Sequence, residues 1–297
     1  MTPVKAAAVS VIVPAHNEAA VIERCLRSLQ AGARRRPVQI VVVCNGCSDG
    51  TADIARRVAP EAIVVESPVP SKHAALNLGD DLADHYPRCY VDADVIVSPG
   101  ALDLVADVLT GSDVLAAAPR PLFDLSRSGR PARLFLELWQ HAPYFTQDLL
   151  GSGFYALSEQ GRHRFDRFPP VIADDYFVAS SFGPNERRGV DGCTFTPLLP
   201  VTLRGLVGIH VRHYAAHREL ASWLSAMAKD APDVRLDPPT DGSWLRSFVR
   251  RPSWWPNVVV YLVVKVVARV GGLHKQRYGK MTWNRDQAGR DSIRPDH

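Results

Sequence analysis

Two acidic stretches offer the first chemistry in this sequence. Asp92 and Asp94 stand two apart near the end of the apolar run "CYVDADVIV", residues 89–97. Read as one strand, positions i and i+2 share a face, so both carboxylates can point at one site. Asp174 and Asp175 follow a second apolar stretch in "VIADDYFVA". Adjacent residues need not point the same way, and a helix N-cap is the plain alternative for this pair. Cys44 and Cys47 form a C-x-x-C within "VVVCNGCSDGT". That spacing suits a redox pair at a helix N-terminus or half of a zinc site. Zinc needs a second pair of ligands, and Cys89 and Cys193 stand alone in unrelated contexts. Gly46, Ser48 and Asp49 favour a third reading, a turn whose backbone amides and Asp49 face a ligand.

These residues need elements to hold them. "VSVIV" (9–13) and "VQIVVV" (38–43) are β-branched apolar runs, as in strands buried on both faces. "AIVVE" (62–66) predicts a third strand and 89–97 a fourth. Between them, "PAHNEAAVIERCLRSLQAG" carries Val21, Ile22, Cys25, Leu26 and Leu29 on one helical face, closed by Gly32. "SDGTADIARRVA" begins with cap residues, and "SKHAALNLGDDLADHY" puts Ala75, Leu78 and Leu82 on one side. Strand and helix alternating at this spacing imply an α/β fold, a mostly parallel sheet with helices on both faces. Ligands in such sheets bind beyond the carboxyl ends of the strands. His16, Asn17 and Glu18 follow strand one, Asn45 and Asp49 follow strand two, and Asp92 and Asp94 follow strand four.

Composition bounds the alternatives. The 297 residues are 46% hydrophobic and 22% charged, an ordinary globular mixture. A net charge of +4, without a basic stripe interleaved with aromatics, gives no support for nucleic-acid binding. Five cysteines spread along the chain suit a reducing, cytoplasmic setting better than a disulfide framework. The N-terminus imitates a signal peptide, but its apolar run ends at Pro14, His16, Asn17 and Glu18 and reads better as the first strand.

The segments "VSVIVPAHNEAAVIERCLRSL", "VVVCNGCSDGTADIA", "SKHAALNLG", "YVDADVIVSPGAL", "GSGFYALSEQGRHRF" and "IADDYFVA" occur in an order and spacing that resembles the family 2 glycosyltransferases of GT-A fold, over roughly residues 9 to 215. The resemblance implies a nucleoside diphosphate sugar donor, a hydroxyl acceptor, a Mg²⁺ or Mn²⁺ ion and inversion at the anomeric carbon. Carboxylates suit such an ion, which stabilises the charge on the departing diphosphate. By resemblance, Asp94 binds the metal and Asp92 contacts the metal or the ribose. Pro14, Ala15, His16, Asn17, Glu18, Asn45 and Asp49 hold the nucleoside, and Lys72 lies near the donor. Asp175 is the base that takes the acceptor proton. Asp174 orients a loop or the metal region, and Ser152 and Gly153 approach the acceptor. Many members carry Asp at the position of Cys44, where it contacts the base. A thiol accepts that hydrogen bond poorly, so either Asn45 substitutes or the base is not uracil. "HVRHYAAHRE" only approximates a family signature; Arg212 would meet the diphosphate and His213 would be a third metal ligand, with an ordinary core or surface histidine as the alternative. A sugar nucleotidyltransferase is a rival, although "VPAHNEAAVIERC" lacks a Gly-rich phosphate loop, and a non-catalytic sugar- or nucleotide-binding module is another.

The reading divides the chain into a GT-A domain, 1–220, and a helical extension, 221–297, entered through the Pro- and Asp-rich stretch 230–243. Residues 258–270 are almost wholly apolar, with Trp254 and Trp255 before them. Thirteen residues are too few to span a bilayer. Lys265 and Arg269 share a helical face. With His274, Lys275, Arg277 and Lys280 they would face anionic lipid while the apolar face lies on the membrane surface, as for a peripheral protein. The alternatives are packing on the catalytic domain and a homodimer contact. The end, 284–297, is expected to be disordered.

Overall fold

The computed structural model describes residues 7–146, 153–227, 243–278 and 290. In chain order the elements are β1 (Val9–Ala15), α1 (Ile22–Gly32), β2 (Val38–Asn45), α2 (Thr51–Val58), β3 (Ile63–Ser67), α3 (Lys72–Leu82), β4 (Arg88–Val91), β5 (Ile96–Val97), α4 (Ala101–Gly111), β6 (Ala116–Pro121), α5 (Arg130–Trp139), α6 (Pro143–Thr146), β7 (Phe154–Leu157), α7 (Glu159–Arg162), α8 (Asp174–Ser180), β8 (Arg187–Thr196), α9 (Leu203–Met227), α10 (Arg246–Val249) and α11 (Trp255–Tyr278). They form two units: Met1–Leu122 with Asp148–Pro197, and Phe123–Gln147 with Leu198–His297. Residue 220, expected as a boundary, lies inside α9. The expected disorder of 284–297 falls outside the described residues, residue 290 excepted, as does nearly all of the 230–243 break.

The first unit is α/β. Its eight strands form one sheet in the order β3-β2-β1-β4-β7-β6-β8-β5. The β3-β2-β1-β4 half is parallel, and β7 runs antiparallel to both β4 and β6. All seven residues of β1 are buried, as its unbroken apolar run predicts. The predicted helical face of α1, Ile22, Cys25, Leu26 and Leu29, is also buried and joins the main core with Val11, Val13, Val42 and Leu102. Each such side chain contributes about 1.5–3 kcal/mol. The helix starts only at Ile22, because Pro14 and Ala15 extend β1 and 16–21 form a turn.

The predicted strand 89–97 is broken. It ends at Val91, turns through Asp92–Val95 with a Val95 N to Asp92 O bond of 3.1 Å, and resumes as β5 on the far edge of the sheet. Five residue steps from Val91 to Ile96 span at most about 17 Å. Four strand spacings across a flat sheet are about 19 Å. The sheet therefore curls, bringing its far edge towards the Asp92–Asp94 turn.

The second unit is helical. α5, α9 and α11 share a core of Phe135, Leu136, Leu138, Leu206, Val258 and Val264. The expected 258–270 helix is longer, 24 residues from Trp255 to Tyr278. Pro252–His274 is long and apolar enough to cross a membrane, which the 13-residue estimate denied.

Candidate active site

The site lies beyond the carboxyl ends of β1, β2 and β4, where the chain order reverses between the neighbouring strands β1 and β4. That is the crevice such sheets offer to ligands. Asp92 and Asp94 are both half-buried, flanked by buried Val91, Ala93 and Val95. The period-two burial that the spacing predicts survives, although a turn rather than a strand produces it. α1 holds this turn: Arg24 Nη2 donates to Asp94 O at 2.8 Å and the Cys25 thiol to Asp92 O at 3.6 Å. On the other side, Asp92 N donates to Gly153 O at 2.8 Å. Gly153 has φ +104°, and a Cβ there would lie 2.8 Å from Val95 Cγ2 and 3.4 Å from Asp92 Oδ2. The close approach expected of Gly153 is thus to the Asp92 turn. Ser152 lies outside the described residues.

The segments after β1 and β2 are laced together. His16 Nδ1 donates to Asn45 O at 2.6 Å, and Asn45 Nδ2 donates to Ala15 O at 2.9 Å. Asn17, at φ +52°, accepts from Ser48 N at 2.7 Å and donates its own amide to Cys47 Sγ at 3.3 Å. Glu18 is buried, and its amide donates to Thr51 Oγ1 at 2.8 Å. Asp49 accepts from Ala19 N and Thr51 N, both at 3.1 Å. This corrects one expectation. The amides of the Cys44–Asp49 turn do not all face a ligand: Ser48 N goes to Asn17 and Gly46 N to Ser67 O at 2.7 Å. A turn between two packed strands satisfies its amides internally because a buried unpaired N–H is costly. Cys44 is 1% exposed within the apolar core, and Asn45 Oδ1 is buried without a hydrogen bond. All five cysteines are free thiols. Cys44 and Cys47 are hydrogen-bonded, which with burial pushes Cys44 up, while that bond and the Asn17 amide draw Cys47 down.

Lys72 joins the acidic stretches. It opens α3 behind the Ser71 cap, and its Nζ lies 2.7 Å from Asp92 Oδ1 and 3.0 Å from Asp174 Oδ1. Tyr155, stacked on Tyr90, donates its hydroxyl to Asp174 Oδ2 at 3.0 Å. Asp174 is 3% exposed; burial pushes its carboxyl up to about 6 against the pull of Lys72. The neighbouring carboxylates hold the Lys72 ammonium above its usual range despite burial. Asp175 is half-buried and accepts the Tyr176 amide at 2.8 Å. The sequence reading missed Tyr155 and Arg24. Tyr155 sits within the singled-out "GSGFYAL", and only alternation along β7 hinted at its direction.

Arg212 and His213 belong to the second unit, on α9. His213 stacks on His217 at 6.4 Å, and His210 is 4% exposed between Phe135 and Trp139, where burial draws it well below its usual range. Among the described residues, no three His, Cys, Asp or Glu side chains cluster to hold a metal. A divalent ion that also binds substrate phosphates needs only one or two carboxylates. Asp92, with its side chain 37% exposed and an ammonium already against it, and half-buried Asp94 fit such an ion.

Residues 10–155 match the family model described as Glycosyl transferase family 2. This region, 146 of the 297 residues, is that of a family 2 glycosyltransferase. The chain's fold is that of a mannosyltransferase from Pyrobaculum calidifontis, solved with GDP-Man and Mn²⁺, at TM-score 0.57 and 22% identity over 92% of this chain and 76% of that one. S. aureus TarS 1–349, solved with UDP, superposes at TM-score 0.50 and 16% identity over 91% and 89% of the two chains. These likenesses make the curled sheet a GT-A fold. The glycosyltransferase AglE of Haloferax volcanii is 29% identical over 111 residues, 36% of each chain. The match therefore spans about a third of that relative's length.

Proposed function

We propose that this chain is an inverting, divalent-metal-dependent glycosyltransferase that moves a sugar from a nucleoside diphosphate to an acceptor hydroxyl. The observation that carries this reading is the junction of Asp92, Lys72 and Asp174 beside Asp175, at the carboxyl end of β4. Asp175 takes the proton of the acceptor hydroxyl while the hydroxyl oxygen attacks the anomeric carbon. The new C–O bond forms as the bond to the diphosphate breaks on the opposite face, so the configuration inverts. Asp92 and Asp94 would hold the cation, which, when bound, supplies positive charge to the departing diphosphate. Lys72 adds a fixed charge to the same region, and Asp174 with Tyr155 holds Lys72 in place. His16 to Glu18, Asn45 and Asp49 shape the nucleoside side. Asn45 Oδ1 is an unsatisfied acceptor that can replace the one lost at Cys44. Five free cysteines suit a reducing, cytoplasmic setting.

Slow donor hydrolysis with a panel of nucleotide sugars and Mn²⁺ tests this reading. Release of nucleoside diphosphate with an inverted sugar supports it. Release of pyrophosphate from a sugar phosphate and a nucleoside triphosphate would favour the nucleotidyltransferase, and binding without turnover would leave a binding module.

A further inference from the structure

α11 has two unlike faces. Val258, Tyr261, Val264 and Ala268 are buried on the side that packs against α5 and α9. The packing is close enough that a Cβ at Gly272 would lie 2.6 Å from Tyr214 Cδ1. On the other side Trp255, Val259, Val263, Val266, Val270 and Leu273 are 42–63% exposed. At 100° per residue these six fall within an arc of about 80°, and exposed Leu262 and Val267 widen it to about 140°. A continuous stripe of this kind differs from the scattered apolar residues of an ordinary surface. Arg269 and His274, both exposed, flank it, and Arg246, Arg250 and Arg251 are exposed around α10 just before it. From Ser243 to Tyr278 there are seven Lys and Arg and no Asp or Glu.

We propose that this face of α11 docks the enzyme onto a bilayer surface bearing anionic headgroups. The apolar stripe would sink to the headgroup boundary, Trp255 would anchor one end, and the flanking arginines would meet lipid phosphates. Charge selects this occupant over a second copy, because a symmetric contact would set two wholly cationic segments against each other. Packing selects docking over spanning. The buried face of α11 is committed to α5 and α9, which carry solvent-exposed Arg133 and Arg218. Lys265 does not take part as expected. It is largely buried above the Tyr261 ring, 5.4 Å from its centroid.

Flotation of the full chain with vesicles tests the proposal independently of the transfer reaction. It should float with vesicles about one-third phosphatidylglycerol at about 0.05 M salt, and poorly with phosphatidylcholine alone or at about 1 M salt. Val263→Glu with Val266→Glu should lower partitioning at least about tenfold. Circular dichroism and donor hydrolysis in solution should stay unchanged, since both side chains are exposed. Wild-type protein that stays with the soluble fraction at low salt would overturn the proposal, as would a double variant that floats equally well. A dimer in light scattering that the double variant dissociates, without flotation of the wild type, would assign the face to a second copy instead.

Discussion

Asp174 and Asp175 are adjacent in sequence and unlike in surroundings. Asp174 is buried on Lys72 and Tyr155, whereas Asp175 is half-buried one position further on. Asp175→Asn should lower kcat by about 10²–10⁴-fold and leave donor affinity within about twofold, because the base acts on the acceptor. A normal turnover number would remove Asp175 from the role. Gly153→Ala forces a side chain into φ +104° and against Val95. Strain of this kind costs about 1–3 kcal/mol, so calorimetry should show a lower Tm; an unchanged Tm would mean the turn relaxes freely. Cys44→Ser with Cys47→Ser should retain the fold and bind no less metal, as both thiols serve a packed turn. Loss of a stoichiometric zinc ion on mutation, measured by atomic absorption, would contradict that.

At the scale of elements, α1 and α3 do the positioning. α1 grips the Asp92–Asp94 turn through Arg24 and Cys25, and α3 presents Lys72. α11 shows how an element's neighbours retune a residue. Burial draws the Lys265 ammonium down to about 8 from an ordinary value of 10.5. Below pH 8 it is protonated in both folded and unfolded chains, and folding carries the full cost of burying the charge. Between about 8 and 10.5 the unfolded chain binds more protons, so stability rises with pH. Lys265→Met should therefore stabilise at pH 7 by about 1–3 kcal/mol, allowing for partial exposure. The gain should vanish above about pH 10.5 in denaturant titrations. A variant less stable than wild type at pH 7 would show that the ammonium contributes more than its burial costs.

At the scale of the molecule, the second unit is assembled from distant pieces, Phe123–Gln147 and Leu198–His297. α11 covers Phe135 and Leu206 with Val258, Tyr261 and Val264. A chain ending at Met227 would uncover that core and lose several contributions of about 1.5–3 kcal/mol each. Its thermal unfolding should shift down and it should bind an apolar dye. Equal melting of the two chains would mean that α11 is not part of the core.

The sequence by itself determined the order of β1 to β4 and α1 to α3, the buried face of α1, and the meeting of three polar segments at one end of the sheet. These follow from local periodicity and from the placing of polar residues where apolar runs end, and both are written in consecutive residues. Its motifs also sufficed for the family. Only tertiary structure decided that the predicted strand 89–97 breaks at Asp92, because the far edge of the curled sheet competes for Ile96 and Val97. Only it decided that Lys72 bridges Asp92 to Asp174, residues 20 and 102 positions away in sequence. The two faces of α11 were hidden for the same reason. A nearly uniform apolar run carries no internal mark of which side meets protein, and α5 and α9 supplied that mark by packing on one side.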